Sequence, residues 1–271
     1  MHALSTRGRG GSQGIICAVP SPSWELKLAR AEQHFAELQA EIARWSSTNP
    51  YTVTRVEQIG RRRTPWYVSL LSIDPPPTDW VAPMILGDVL FNLRSALDHI
   101  ASALDPKHRA TFPITPHDIS GPEQGLTDAQ RDARRQFREK VRGLPPEAVA
   151  VIERAQAHHA VKAVGGDPND YALVMLNRLQ NVDKHARLLV VGTGLRNATR
   201  SINSLDSPQN IEVLGDGAEI FRSPTKVAVG IRGDLVVGVA RPPDQLDDIA
   251  AVPTILRVIR TKVIRPLEPF L

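Results

Sequence analysis

The chain has 271 residues, 42% of them hydrophobic, with 33 Lys and Arg against 29 Asp and Glu for a formal charge of +4. That is enough apolar content for a packed core without staples, and the single cysteine, Cys17, excludes an intrachain disulfide and any thiolate-rich metal site. A charge of +4 alone cannot hold a polyanion at physiological salt, so the placement of the arginines matters more than their number.

Residues 1–23 are rich in Gly, Ser, Arg and Pro without hydrophobic period and are expected to form a disordered leader. Their apolar run, Ile15–Val19, is shorter than the roughly 7 to 15 residues of a secretory signal, and nothing later approaches the roughly 20 apolar residues that span a bilayer. The expectation is a cytoplasmic protein with no membrane partner. Helical spacing of Leu28, Ala31, Phe35, Leu38 and Ile42 predicts a first helix from Trp24 to Trp45, capped by Ser23. Asn49-Pro50 breaks it. Tyr51–Gln58 and Trp66–Ile73 then alternate as the strands of a hairpin around the polar turn Gly60–Thr64. Pro75-Pro76-Pro77 closes the hairpin, and Thr78 or Asp79 is the expected cap of a second helix running to about Leu104. In that helix Leu86, Leu90, Leu93, Leu97, Ile100 and Leu104 fall at spacings of 4, 3, 4, 3 and 4, which requires one face to be buried.

An irregular stretch through Pro106, Pro113, Pro116 and Pro122 follows. Thr127 and Gln130 then form a capping box for an arginine-rich helix ending at Gly143. Pro145 and Pro146 start another, expected to end near His158, where His158 and His159 would cap the negative end of its dipole. Tyr171 to about Arg187 reads as a further helix with Leu173, Leu176, Leu179 and Val182 inward. The last third is β-rich, with runs at Leu188–Val191, Ile211–Leu214, Lys226–Ile231 and Leu235–Val239, the last two forming a hairpin through Arg232-Gly233-Asp234. Pro253 to Arg265 makes a final amphipathic helix. The expected class is α+β: a helical core over 24–187 with an N-terminal β-hairpin at 51–73, and a β-rich segment over 188–271 closed by a C-terminal helix.

Chemistry concentrates on two helical segments. In Asp88–His99 the residues Asp88, Asn92, Ser95 and His99 share one face, with Phe91, Arg94 and Asp98 beside it. In Asn177–His185, Asn177, Asn181 and Lys184 share a face, with Arg178 and His185 on its neighbour and Asp183 toward the apolar side. If the two helices pack together, these sets meet either as a pocket or as a buried network in which each polar group satisfies another. Asp98, His99, Asp183 and His185, with His34 and Glu37, are the candidate metal ligands. They lack a Glu-x-x-His or His-x-x-x-His spacing, so no metal is expected. No cofactor is expected either, because phosphate-loop and dinucleotide fingerprints are missing.

Arg131, Arg135, Arg138 and Arg142 fall at spacings of 4, 3 and 4 and make one basic stripe that could follow a nucleic-acid backbone. Asp132 and Glu139 lie beside it and offer the other reading, a solvated and charge-balanced helix face.

The strings Leu93-Arg94-Ser95-Ala96-Leu97-Asp98-His99 and Asn181-Val182-Asp183-Lys184-His185 resemble those of a group of bacterial proteins of unknown function, over roughly residues 24 to 190. Arg94, four residues, then His99 also resembles the signature of HEPN ribonucleases, which are all-helical and act as dimers without metal. That resemblance implies RNA as the partner, a homodimer, His99 as the acid–base group at the ribose 2′-hydroxyl and Arg94 as the stabiliser of the charged phosphorane. Asp88, Asn92, Ser95, Asp98, Asn181, Lys184 and His185 would support them. On an α-helix Arg94 and His99 point about 140° apart, so only the long arginine side chain could close the site.

Overall fold

In the computed structural model, residues 22–59, 65–185, 189–203, 205–241, 245–249 and 251–271 are described. The chain is an α+β protein. Residues 1–21 of the expected leader, Cys17 among them, lie outside the described residues, as do the turn Gly60–Thr64 and residues 186–188.

Helix α1 (Ser23–Ser46) begins one residue earlier than expected, so Ser23 lies inside it and Pro22 takes the cap position. Its stripe Leu28, Ala31, Leu38 and Trp45 is buried, with Phe35 and Ile42 packed beside it. This stripe lies against α2 (Ala82–Leu104), whose leucine face from Leu86 to Leu104 is at most 5% exposed. Neither Thr78 nor Asp79 caps α2, which starts at Ala82 after Val81. Two local features move the start. Trp80 is drawn inward to pack tilted against Trp45, ring centroids 4.8 Å apart, and Thr78 and Asp79 lie in a turn closed by the Trp80 N–H on the Pro77 carbonyl. Pro83, which has no N–H to satisfy, fits in the first helical turn.

The capping box at Thr127 and Gln130 is present, and α3 (Asp128–Lys140) follows it. The helix after Pro145 is shorter than expected: α4 (Pro146–Arg154) stops at Ala155 and a separate α5 (Ala157–Val164) begins after Gln156. His158 and His159 therefore occupy the first turn of a helix, not the last. Helix α6 (Ala172–His185) packs on α2, and its Asp183 comes closest where α2 has no side chain. A Cβ on Gly87 would come within 2.9 Å of the Asp183 carboxylate oxygens, so the glycine permits the close approach.

The described strands form two antiparallel sheets. The hairpin β1 (Tyr51–Ile59) and β2 (Pro65–Ile73) pairs Tyr51 with Ile73, and β5 (Glu219–Ser223), which the sequence pattern missed, joins β2 as a third strand. The second sheet has the order β4-β3-β6-β7, from β3 (Leu189–Ile202), β4 (Leu205–Gly215), β6 (Val229–Arg241) and β7 (Gln245–Asp248).

Arg232-Gly233-Asp234 is not a turn. It runs through the middle of β6, which pairs along its length with β3, and Gly233 stands opposite a bulge at Asn197 and Ala198. A Cβ there would lie 3.0 Å from the Arg196 carbonyl oxygen, so the glycine serves the bulge instead of reversing the chain.

The chain ends in α7 (Ala251–Val258), continued by a π-helical turn over Ile259–Ile264. Val190, Val237, Val239, Val252, Ile255 and Ile259 lie in the same buried cluster as the leucines of α2, and β5 extends the hairpin sheet. The expected parts 24–187 and 188–271 thus share a core and a sheet. A smaller cluster of Leu71, Leu195, Ala198 and Ile220 joins the two sheets. No helix among the described residues is long and apolar enough to cross a membrane.

Candidate functional site

The proline-rich stretch between α2 and α3 has little backbone ladder of its own, so its peptide groups need partners from elsewhere. Buried polar side chains supply them in turn. Asp105, at the end of α2, accepts hydrogen bonds from the backbone N–H groups of Lys107, Arg109 and Ala110 at 2.7–3.0 Å. Those bonds, led by that from Lys107, hold its carboxyl below the ordinary value. Asp98 accepts the Phe112 N–H at 3.0 Å while Arg94 donates to the Phe112 carbonyl at 2.7 Å and to Asp98 at 2.9 Å. Gln156, 1% exposed, accepts from Thr115 N–H at 3.0 Å and donates to Pro113 O at 3.1 Å. Arg134 donates to the carbonyls of Ile119 and Gly121 and pairs with Glu123.

The sequence-derived catalytic pair is part of this scheme. Arg94 lies on α2 with its side chain 12% exposed, both Asp98 and the Phe112 peptide held by its Nη2, and its Nη1 buried without an acceptor. Lys140, half-buried nearby, has its pKa lowered first by desolvation and then by the Arg94 charge. His99 and Ser95 are half-buried, and no hydrogen bond links His99 to Arg94 among the described residues.

The rest of the expected polar junction does not assemble as drawn. Asn92 is buried but donates to the Asp88 carbonyl of its own helix, while Asp88, Asn181 and Lys184 are exposed. The side chain of His185 lies outside the described residues. What meets across the helix pair is Asp183 with Gly87 and Asp88: partial burial of the Asp183 carboxylate, then the Asp88 charge, raises its pKa. His34 and Glu37, candidate ligands where no metal is expected, bond each other at 2.9 Å on α1.

On α3 the arginines divide. Arg134 is buried as described, Arg131 pairs with Asp128, and Arg135 pairs with Asp132 at 3.0 Å. Arg138 and Arg142 are exposed and make no ion pair among the described residues. Together with Glu123 and Glu139 these five arginines line a shallow cavity of about 620 Å³.

Sequence reasoning missed one grouping. Glu153, His158 and His159 come together where α4 breaks and α5 begins, with ligand atoms all within 4.8 Å of one another. Their spacing matches no single-helix ligand pattern, and only the break at Ala155-Gln156 brings them to one place. Compared with family models, curated proteins and solved structures, the chain matches none.

Proposed function

We propose that this is a non-enzymatic binding protein that takes a single-stranded RNA backbone along the outer face of α3, and that the Arg94–Asp98 pair is part of its scaffold. The observation that carries the reading is the unequal use of the arginines. Five line one concave surface against two glutamates, and Arg138 and Arg142 have no partner among the described residues. An exposed helix face with uncompensated guanidinium groups suits phosphate, since a guanidinium presents a rigid fork of donors and releases counterions on binding. No aromatic side chain lines the cavity, so the contact follows the backbone and discriminates little between bases. Cleavage at Arg94 and His99 would instead have to use an arginine whose Nη2 is taken by Asp98 and the Phe112 carbonyl and whose Nη1 is buried.

The test is the salt dependence of binding to a single-stranded RNA oligonucleotide. Each neutralised phosphate contributes about −0.7 to the slope of log K against log salt. Arg138→Ala with Arg142→Ala should therefore weaken binding at low salt and make the slope shallower by about 1.4. Binding unaltered by that double substitution, or no binding at low salt, sinks the proposal. RNA cleavage lost in His99→Ala with stability intact would replace it with the enzymatic reading.

A further inference from the structure

A second polar feature lies apart from the α3 face. His158 is 3% exposed, and neither of its ring nitrogens has a hydrogen-bond partner. The Nε2 of His159 is likewise buried and unpartnered, and the two rings stand with centroids 4.3 Å apart, tilted by 40°. Buried polar atoms are nearly always satisfied, so three unsatisfied imidazole nitrogens side by side need a reason. Packing does not supply one, because a leucine or phenylalanine would fill the same space without desolvating a polar ring.

The geometry points to a binding site for one transition-metal ion of the zinc class, held by Glu153, His158 and His159. Glu153 comes from the last turn of α4 and the two histidines from the first turn of α5, with donor atoms within 4.8 Å of one another. Around a tetrahedral ion with bonds of about 2.0–2.1 Å the donors stand about 3.4 Å apart, so the widest separation closes by about 1.4 Å on binding. Two imidazoles and one carboxylate favour Zn²⁺, Co²⁺ or Ni²⁺ over Mg²⁺ and Ca²⁺, which prefer an all-oxygen shell. Three protein ligands leave the fourth position for water or an incoming anion.

The surroundings suit a metal. Asp118 Oδ1 stands 3.8 Å from His158 Nε2, too far for a hydrogen bond, and a small ring movement on binding would bring it into the orienting position a carboxylate takes outside a coordination sphere. Burial raises the Asp118 pKa, but Lys162 at 2.7 Å and Ser120 outweigh it and keep the carboxylate ionised. Gln156, the residue before α5, is anchored by its side chain to the Thr115 and Pro113 peptides, so the break that assembles the ligands is itself held in place.

The full chain without an affinity tag is titrated with Zn²⁺ by calorimetry and with Co²⁺ by visible absorption. One Zn²⁺ per chain, a rise in melting temperature with Zn²⁺ and the intense bands of tetrahedral Co²⁺ are expected. Glu153→Gln and His159→Gln, both at half-buried positions, should each weaken Zn²⁺ binding by more than about tenfold. No uptake by the unaltered chain overturns the site. So does uptake that survives both substitutions, as it would if His34 and Glu37 on α1 held the ion. Should either variant fail to fold, the Co²⁺ spectrum of the unaltered chain decides, and a weak octahedral spectrum rejects the proposal.

Discussion

Arg94 and Arg134 point into the protein, while Arg138 and Arg142 point out of it, although all four lie on or beside the two helices that flank the proline-rich segment. The inner pair spends its donors on the carbonyls of Phe112, Ile119 and Gly121. The outer pair meets solvent and makes no ion pair among the described residues. One residue type thus serves two ends. Where the chain lacks a helix or strand to satisfy its peptides, guanidinium groups replace the missing ladder, and where a helix face is already satisfied they remain for a ligand.

The comparison breaks first at Arg94. Arg94→Ala leaves the Phe112 carbonyl without its side-chain donor and the Asp98 carboxylate with the Phe112 N–H but no cation, and should cost about 3 kcal/mol. For a chain of this size that lowers the melting temperature by roughly 6–12 °C, read by circular dichroism. An unchanged melting temperature would mean that Arg94 is not structural.

A smaller, pH-dependent effect is expected at Asp105. Its carboxyl is held below the ordinary value of 3.8 by backbone N–H donors, so between the folded and unfolded values the unfolded state binds more protons. The stabilisation is therefore complete above the unfolded value and is lost as pH falls through the folded one. Urea denaturation should show Asp105→Asn less stable at neutral pH, with the gap closing as the medium is acidified below about pH 4. A gap that stays constant with pH would assign the loss to shape rather than charge. The smallest change belongs to the outer pair. Arg138→Ala with Arg142→Ala should alter stability by no more than about 0.5 kcal/mol, and a larger loss would place those arginines among the scaffold.

What could be read from the sequence was what is local. The stripe of α2, the hairpin at 51–73, the capping box of α3 and the α+β class all follow from spacing, because a helix or a strand fixes which residues share a face. The arginine stripe of α3 was visible for the same reason. Local pattern misled where a distant partner set the outcome. Arg232-Gly233-Asp234 has the composition of a turn, yet its glycine is required by the β3 bulge across from it. The strand β5 has no alternation strong enough to announce itself and is defined by its pairing with β2.

The sequence by itself determined that Arg94 and Asp98 would stand one helical turn apart, and that Glu153, His158 and His159 would be near one another in the chain. Only the tertiary structure decided what they face. The Phe112 peptide reaches Arg94 through a stretch with no hydrophobic period, and the histidines meet Glu153 because Gln156, bound to a segment some forty residues earlier, ends one helix and starts the next. Periodicity encodes which way a side chain points from its own helix. The partner it finds there depends on peptide groups whose position is set by the packing of the whole chain.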